Sequence, residues 1–200
     1  MTKTSTRQFR HFIGLATVAT LVGCASTQVT TTGTQLSGPL CKVPDNKLAT
    51  TVYWTPIWRP DQKEPPLREA AALRGMQSFF QSTGCLSPIT IERLPAPAND
   101  QAPSDEVLLQ RARTAQPDTD RVVLVVVREL GPKLWIGLPM IVEGGTEAVL
   151  EVRVLDAKNK TPLADVHTHW QNAGKFVIKG VKTLDHDMAE ALRAVLPLHD

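Results

Sequence analysis

The chain has 200 residues, with 22 lysines and arginines against 20 aspartates and glutamates and a formal net charge of +2. That balance excludes a general binder of nucleic acid or anionic lipid, because both need a strongly basic surface to gain from counterion release. The length suits one domain that buries about two-thirds of the surface its unfolded chain exposes.

The N-terminus carries Lys3, Arg7 and Arg10, then an apolar stretch at residues 12–22 that closes on Leu21, Val22, Gly23 and Cys24. Eleven residues cannot span a bilayer as a helix, which needs about 20. The order of basic start, short apolar run, small residue and cysteine resembles the lipobox of bacterial lipoprotein signal peptides. The resemblance implies cleavage behind Gly23 and lipidation of Cys24, with three acyl chains at the new N-terminus. Ala25, where an aspartate would retain the protein at the inner membrane, implies sorting to the outer membrane with the folded part in the periplasm. The alternatives are an ordinary secretory signal with a chance cysteine, or a buried core helix that happens to sit first. Removal of residues 1–23 leaves 19 basic against 20 acidic residues, so the apparent basicity belongs to the discarded segment.

Residues 24–44 are Ser-, Thr-, Gln- and Gly-rich with few large apolar side chains. Such a composition cannot offset the entropy of folding by burial and predicts a flexible tether spanning about 20–25 Å. The single domain is then expected over residues 45–200. Cys41 and Cys85 lie in an oxidising compartment on this reading, so a disulfide is expected, the alternative being two buried thiols. Closing the loop between them contributes about 4 kcal/mol in the chain-entropy model.

Residues 49–54, rich in Thr, Val, Tyr and Trp, read as a strand, and prolines 56, 60, 65 and 66 follow. Pro66 opens a helix over residues 67–82, with Leu73, Met76 and Phe80 at helical spacing and Gly84 as its stop. A short strand at 88–94 and a Pro-, Ala- and Asn-rich loop at 95–103 come next. Ser104, Asp105 and Glu106 then cap a short second helix with Val107, Leu108, Ala112 and Ala115 on its apolar side. Residues 122–127 are valine or leucine without interruption, which predicts a strand covered on both faces. Residues 146–156 alternate, with Ala148, Leu150, Val152 and Val154 on one face and Glu147, Glu151 and Arg153 on the other. A polar turn at 156–160 leads into a hairpin partner at 163–171, and Thr183 is placed to cap a last helix over 184–196.

The expected class is α/β (α+β): a mixed sheet of about five strands with three helices packed on it, in the order β-α-β-α-β-β-β-α. Behind a lipobox and a Thr-rich segment, this order resembles the periplasmic α/β domain shared by the curli-secretion lipoprotein CsgG, the penicillin-binding-protein activator LpoB, the exopolysaccharide lipoprotein PelC and the N-terminal domain of TolB. The resemblance implies assembly, secretion or regulation through protein contacts, and it carries no active-site residue onto this chain.

Three candidate sites stand out. Asp165, His167 and His169 share one face of a strand at period two, a pattern that can hold zinc with one position open, and His186 on the last helix is a further candidate ligand. Against it, Val166 and Trp170 occupy the other face, so the polar set also reads as the solvated side of a hairpin. Residues 134–142 include Trp135, Ile136, Leu138, Pro139 and Met140, an apolar stretch in a long connection that marks a partner surface or a membrane-touching loop, or else is in part a core strand end or folds back over the sheet. Nine residues are too few for a transmembrane hairpin. Tyr53, Trp54 and Trp58 offer flat amphipathic rings for stacking a ligand, with core packing as the competing reading. The chain lacks a Gly-x-Ser-x-Gly elbow, a Walker loop and a dinucleotide-binding glycine set.

The function read from the sequence is therefore a non-catalytic, lipid-anchored envelope protein with Trp135, Ile136, Leu138 and Met140 as the partner contact. Its partners are outer-membrane lipid through Cys24 and an unidentified envelope protein, with a homo-oligomer open, no nucleic acid and no cofactor. The alternative is a metal-binding protein or metal-dependent hydrolase built on Asp165, His167 and His169.

Overall fold

The unbroken run at residues 122–127 becomes the middle of a sheet. In the computed structural model, which describes residues 25–41, 47–97, 99–137, 141–175 and 177–197, its side chains are buried alternately on two opposite faces. The chain order is β1 (Ser26–Thr34), β2 (Leu48–Pro56), α1 (Pro65–Gln81), β3 (Leu86–Arg93), α2 (Asp105–Ala115), β4 (Arg121–Gly137), β5 (Ile141–Asp156), β6 (Thr161–Lys175) and α3 (Leu184–Val195). Six strands form one mixed sheet in the order β1-β6-β5-β4-β2-β3. β2 runs parallel to β3 and β4, and the other neighbours are antiparallel.

The two faces have separate cores. Val123, Val125 and Val127 join Ala148, Leu150, Val152, Val166 and Trp170 beneath α1 and α3, whose Met76, Phe79, Phe80, Met188 and Leu192 complete that layer. Fully burying a side chain of this size contributes about 1.5–3 kcal/mol, which is why the apolar stripes of α1 and α3 dictate where the helices lie. Val122, Leu124 and Val126 face the other way, toward Leu108, Leu109 and Ala112 of α2. Ser104 caps α2 as read from the sequence, its hydroxyl accepting from the Val107 amide at 3.5 Å. Thr183 precedes α3 without capping it, and instead its hydroxyl donates to the Asp187 carboxylate at 3.0 Å. Tyr53 and Trp54 are buried on opposite faces of β2, one in each core, so these aromatics pack the sheet and present no stacking surface. Trp58 is partly buried, with its indole N–H donating to Glu69.

The expected class holds, with one strand added at the front. Residues 26–34, expected within the tether, form β1 and pair over nine positions with β6, from Ser26 opposite Ala173 to Thr34 opposite Asp165. The expectation of a tether follows from side-chain burial alone. An edge strand needs little of that, since pairing with β6 satisfies one side of its backbone and the β-branched Val29, Thr30, Thr31 and Thr32 suit a pleated surface. Cys41 and Cys85 are joined by a disulfide, with Cα atoms 6.2 Å apart. Among the described residues no helix is long and apolar enough to cross a membrane. Cys24 and the signal-like segment before it lie outside the described residues.

Candidate functional site

β4 and β5 continue well beyond β2 and β3. β2 pairs with β4 only as far as Pro56 opposite Val127, whereas the β4–β5 pairing runs on to Gly137 opposite Ile141. Residues 134–137 and 141–142, expected in a loop, are thus the far ends of β4 and β5, and since β6 pairs with β5 as far as Glu143 opposite Lys175, only the last two β4–β5 pairs stand without a third strand. Leu134 and Ile136 are 57% and 64% exposed there, so these two side chains do not fold back over the sheet. Trp135 holds the register position opposite Glu143, while Leu138 and Met140 lie outside the described residues.

A bulge sets the direction of this hairpin. The β4–β5 register shifts between Val127 and Glu129, leaving Arg128 as an extra residue, and such an insertion bends and twists its strand. A buried ion pair fixes the bulge from the α1 side. Arg68, with 8% of its side chain exposed, donates to the Glu129 carboxylate at 3.1 Å and to the Leu130 and Lys63 carbonyls at 2.5 and 2.7 Å. Glu129 also accepts from Gln62 at 3.0 Å and from the Leu130 amide at 3.2 Å. Gly131 leaves room for the guanidinium, since a Cβ there would occupy the same space.

The segment after β6 packs against the same hairpin. The Val177 carbonyl lies where a Gly144 Cβ would stand, and Leu134 flanks the same glycine. Ile178 follows and is 80% exposed. Lys179 holds the segment to α3 through the buried Asp187 at 3.3 Å. The start of β1 reaches this end too, because Ser26 pairs with Ala173, Ala173 with Gly145, and Gly145 with Lys133. A groove of about 370 Å³ opens beside it, lined by Ser26, Gln28, Lys133, Glu143 and Gly144 among others.

Asp165, His167 and His169 do share a face of β6, as their spacing implies, but they do not converge on a metal site. Successive residues on one face of a strand stand about 6.6 Å apart, so each meets its own cross-strand neighbour. His167 lies 3.7 Å from Glu151, His169 lies 3.1 Å from Glu147, and Asp165 stands in register with Arg153. His186 cannot join them, because α3 covers the opposite face. Among the described residues no group of three His, Cys, Asp or Glu side chains is placed to hold a metal ion. The face is instead a lattice of ion pairs, including Arg128 with Glu151 at 2.6 Å and Lys133 with Glu147 at 2.9 Å.

Three carboxylates in these networks titrate low. Burial opposes ionisation of Glu147, and the bonds from Lys133 and His169 outweigh it. For Asp120 burial is outweighed by Lys158, the Ala49 amide and Arg121, and for Asp156 by the Asn159 and Lys158 amides with Arg121. A carboxylate depressed in the folded state contributes stability that is complete above its unfolded value of about 4 and lost as pH falls through the folded value. Stability is therefore expected to hold from pH 7 to about pH 5 and to decline below, and Glu147→Gln should flatten that decline. Urea midpoints measured between pH 7 and pH 3 check this, and equal slopes for both proteins would contradict it.

No family model and no curated protein matches the chain. Among solved structures it is similar to the PelC dodecamer from Paraburkholderia phytofirmans, at 14% identity and a TM-score of 0.45, covering 86% of this chain and 98% of that one. It is also similar to lipoprotein GNA1162 from Neisseria meningitidis, at 14% identity and a TM-score of 0.39 over 73% of this chain and 96% of that one. A minor lipoprotein from Acinetobacter baumannii follows at 7% identity and a TM-score of 0.30, covering 75% and 84%. Sequence reasoning missed Arg68, Glu129, Ile178 and β1. Only β1 had left a signal, in its run of β-branched residues.

Proposed function

We propose that the protein is an outer-membrane lipoprotein that acts without catalysis as an assembly, secretion or regulatory partner in the envelope. The observation that carries this reading is the junction of anchor and fold. Cys24 precedes the first residue of β1 by two positions, and two residues of chain reach no more than about 7 Å. Acyl chains at Cys24 would hold the sheet directly against the lipid, with none of the reach of a long tether.

The β1 edge is the surface best suited to a protein partner. The opposite edge strand, β3, is blunted by Pro88, Glu92 and Arg93, whereas none of the nine residues of β1 is charged or proline. Sheets normally protect their edges with such residues, and an unprotected edge can accept a strand from another chain. The partner is then an extended segment of an envelope protein, or β1 of a second copy.

Two measurements test this reading. Intact mass of protein from the outer-membrane fraction should give a chain beginning at triacylated Cys24, and an unprocessed or unacylated N-terminus overturns the location. Val29→Lys with Thr30→Lys should lower recovery of cross-linked partner about ten-fold, the equivalent of about 1.4 kcal/mol of binding, without changing the circular dichroism. Unchanged recovery removes the β1 edge as the contact.

A further inference from the structure

We propose that the end of the β4–β5 hairpin and Ile178 form a second membrane contact, seated in the headgroup region of the leaflet that holds the Cys24 acyl chains. The inference rests on the anchor proposed above and assigns the apolar residues of the hairpin to lipid. Leu134, Ile136 and Ile178 are the three most exposed large apolar side chains among the described residues, at 57%, 64% and 80%, and all belong to one end of the molecule.

That end is the one from which the anchor leaves. Ser26 aligns through β6 and β5 with Lys133, and the two residues of chain back to Cys24 reach no more than about 7 Å, while β4 runs four residues past that row, about 13 Å, and two residues past the end of β6 at Lys175. Lipid holding the acyl chains therefore meets the hairpin before any other part of the sheet. The projection matches an interfacial element, which buries its apolar side about 5–10 Å deep, and not a spanning one. Lys175 and Lys182 are exposed on the segments that flank this end, where ammonium groups can reach phosphates while their stems lie along apolar surface. The supports are firm, because the Arg68–Glu129 pair fixes the bulge behind the hairpin and the Lys179–Asp187 pair fixes the segment bearing Ile178.

The test uses the full processed lipoprotein, reconstituted into phosphatidylethanolamine–phosphatidylglycerol vesicles. A single cysteine at Ile136→Cys, Ile178→Cys or, at the far end of the sheet, Asn159→Cys carries an environment-sensitive fluorophore. Phospholipids brominated near the headgroup should cut fluorescence about two-fold at 136 and 178, the response of a probe within about 10 Å of the boundary, and leave 159 unchanged. Equal signals at all three positions in acylated, vesicle-bound protein overturn the hairpin contact and leave the anchor standing. Labels shielded only when envelope proteins are added back, with no quenching by lipid, assign the tip to a protein partner and also overturn it. Should mass spectrometry find Cys24 unacylated, the anchor fails separately and the same vesicles still decide the hairpin. Vesicle binding lost in Leu134→Glu with Ile136→Glu then supports the contact, and no binding by the parent protein overturns it.

Discussion

Arg68→Met is expected to lower the free energy of unfolding by about 3–5 kcal/mol, because it removes the cation from a carboxylate that stays buried. Methionine keeps most of the apolar stem, so the loss reports the guanidinium and not the packing. Glu129 would keep the Gln62 amide and the Leu130 N–H, with Arg59 at 3.5 Å as its only remaining cation among the described residues, on a side chain 59% exposed. The carbonyls of Lys63 and Leu130 would each lose a donor. Arg68→Lys should fall between the two, since an ammonium is a point charge and cannot reproduce a planar fork reaching three acceptors. Removing both charges, as Arg68→Met with Glu129→Leu, should cost less than Arg68→Met alone, because an apolar pair carries no desolvation penalty. Guanidinium titrations of the four proteins measure this. A loss below about 1 kcal/mol in the single variant, or a double variant weaker than it, would show that the pair does not stabilise the bulge.

The elements legible in the sequence were those whose energy comes from side-chain burial. Residues 122–127, the alternation at Ala148, Leu150, Val152 and Val154, and the stripe of Leu184, Met188, Leu192 and Val195 all point their apolar side chains into a core. β1 was not legible in this way, because its stability comes from backbone pairing with a strand about 140 positions later, and STQVTTTGT carries only one large apolar residue. Arg68 and Glu129 are 61 positions apart and each reads alone as a solvated charge, so the pair emerges only when α1 is laid against the bulge. Asp165, His167 and His169 show the opposite limit. Their period placed them correctly on one face, but whether three side chains converge depends on the cross-strand neighbours, and here those are Glu147, Glu151 and Arg153. The hairpin lay between these cases. Its composition announced an apolar stretch, while its proximity to the start of β1 follows from three strand registers that no local pattern encodes.

Removing the disulfide, as Cys41→Ala with Cys85→Ala, is expected to cost about 2–4 kcal/mol, at or below the chain-entropy value for a separation of 44 residues. For a domain of this size that corresponds to a fall in Tm of about 4–16 °C. The bond ties the chain that leaves β1 to the corner between α1 and β3. Next to it Leu40 is buried and its amide donates to the Pro197 carbonyl at 2.8 Å, while the Cys85 carbonyl accepts from the Leu48 amide at 2.8 Å. Those contacts remain in the variant, so the sheet should survive with its weakest attachment exposed. That attachment is β1, which among the described residues pairs on one side only and lies outside both cores. Hydrogen exchange should accordingly speed up more in Ser26–Thr34 than in β4 or β5, since local opening follows the least buried unit. Under the anchor and hairpin contact proposed above, β1 is the strand between Cys24 and the rest of the sheet, so the same opening would lengthen that span and let the hairpin lift from the lipid. Exchange that accelerates uniformly across the sheet would instead make the bond a staple of the whole fold, with no special bearing on the proposed anchor.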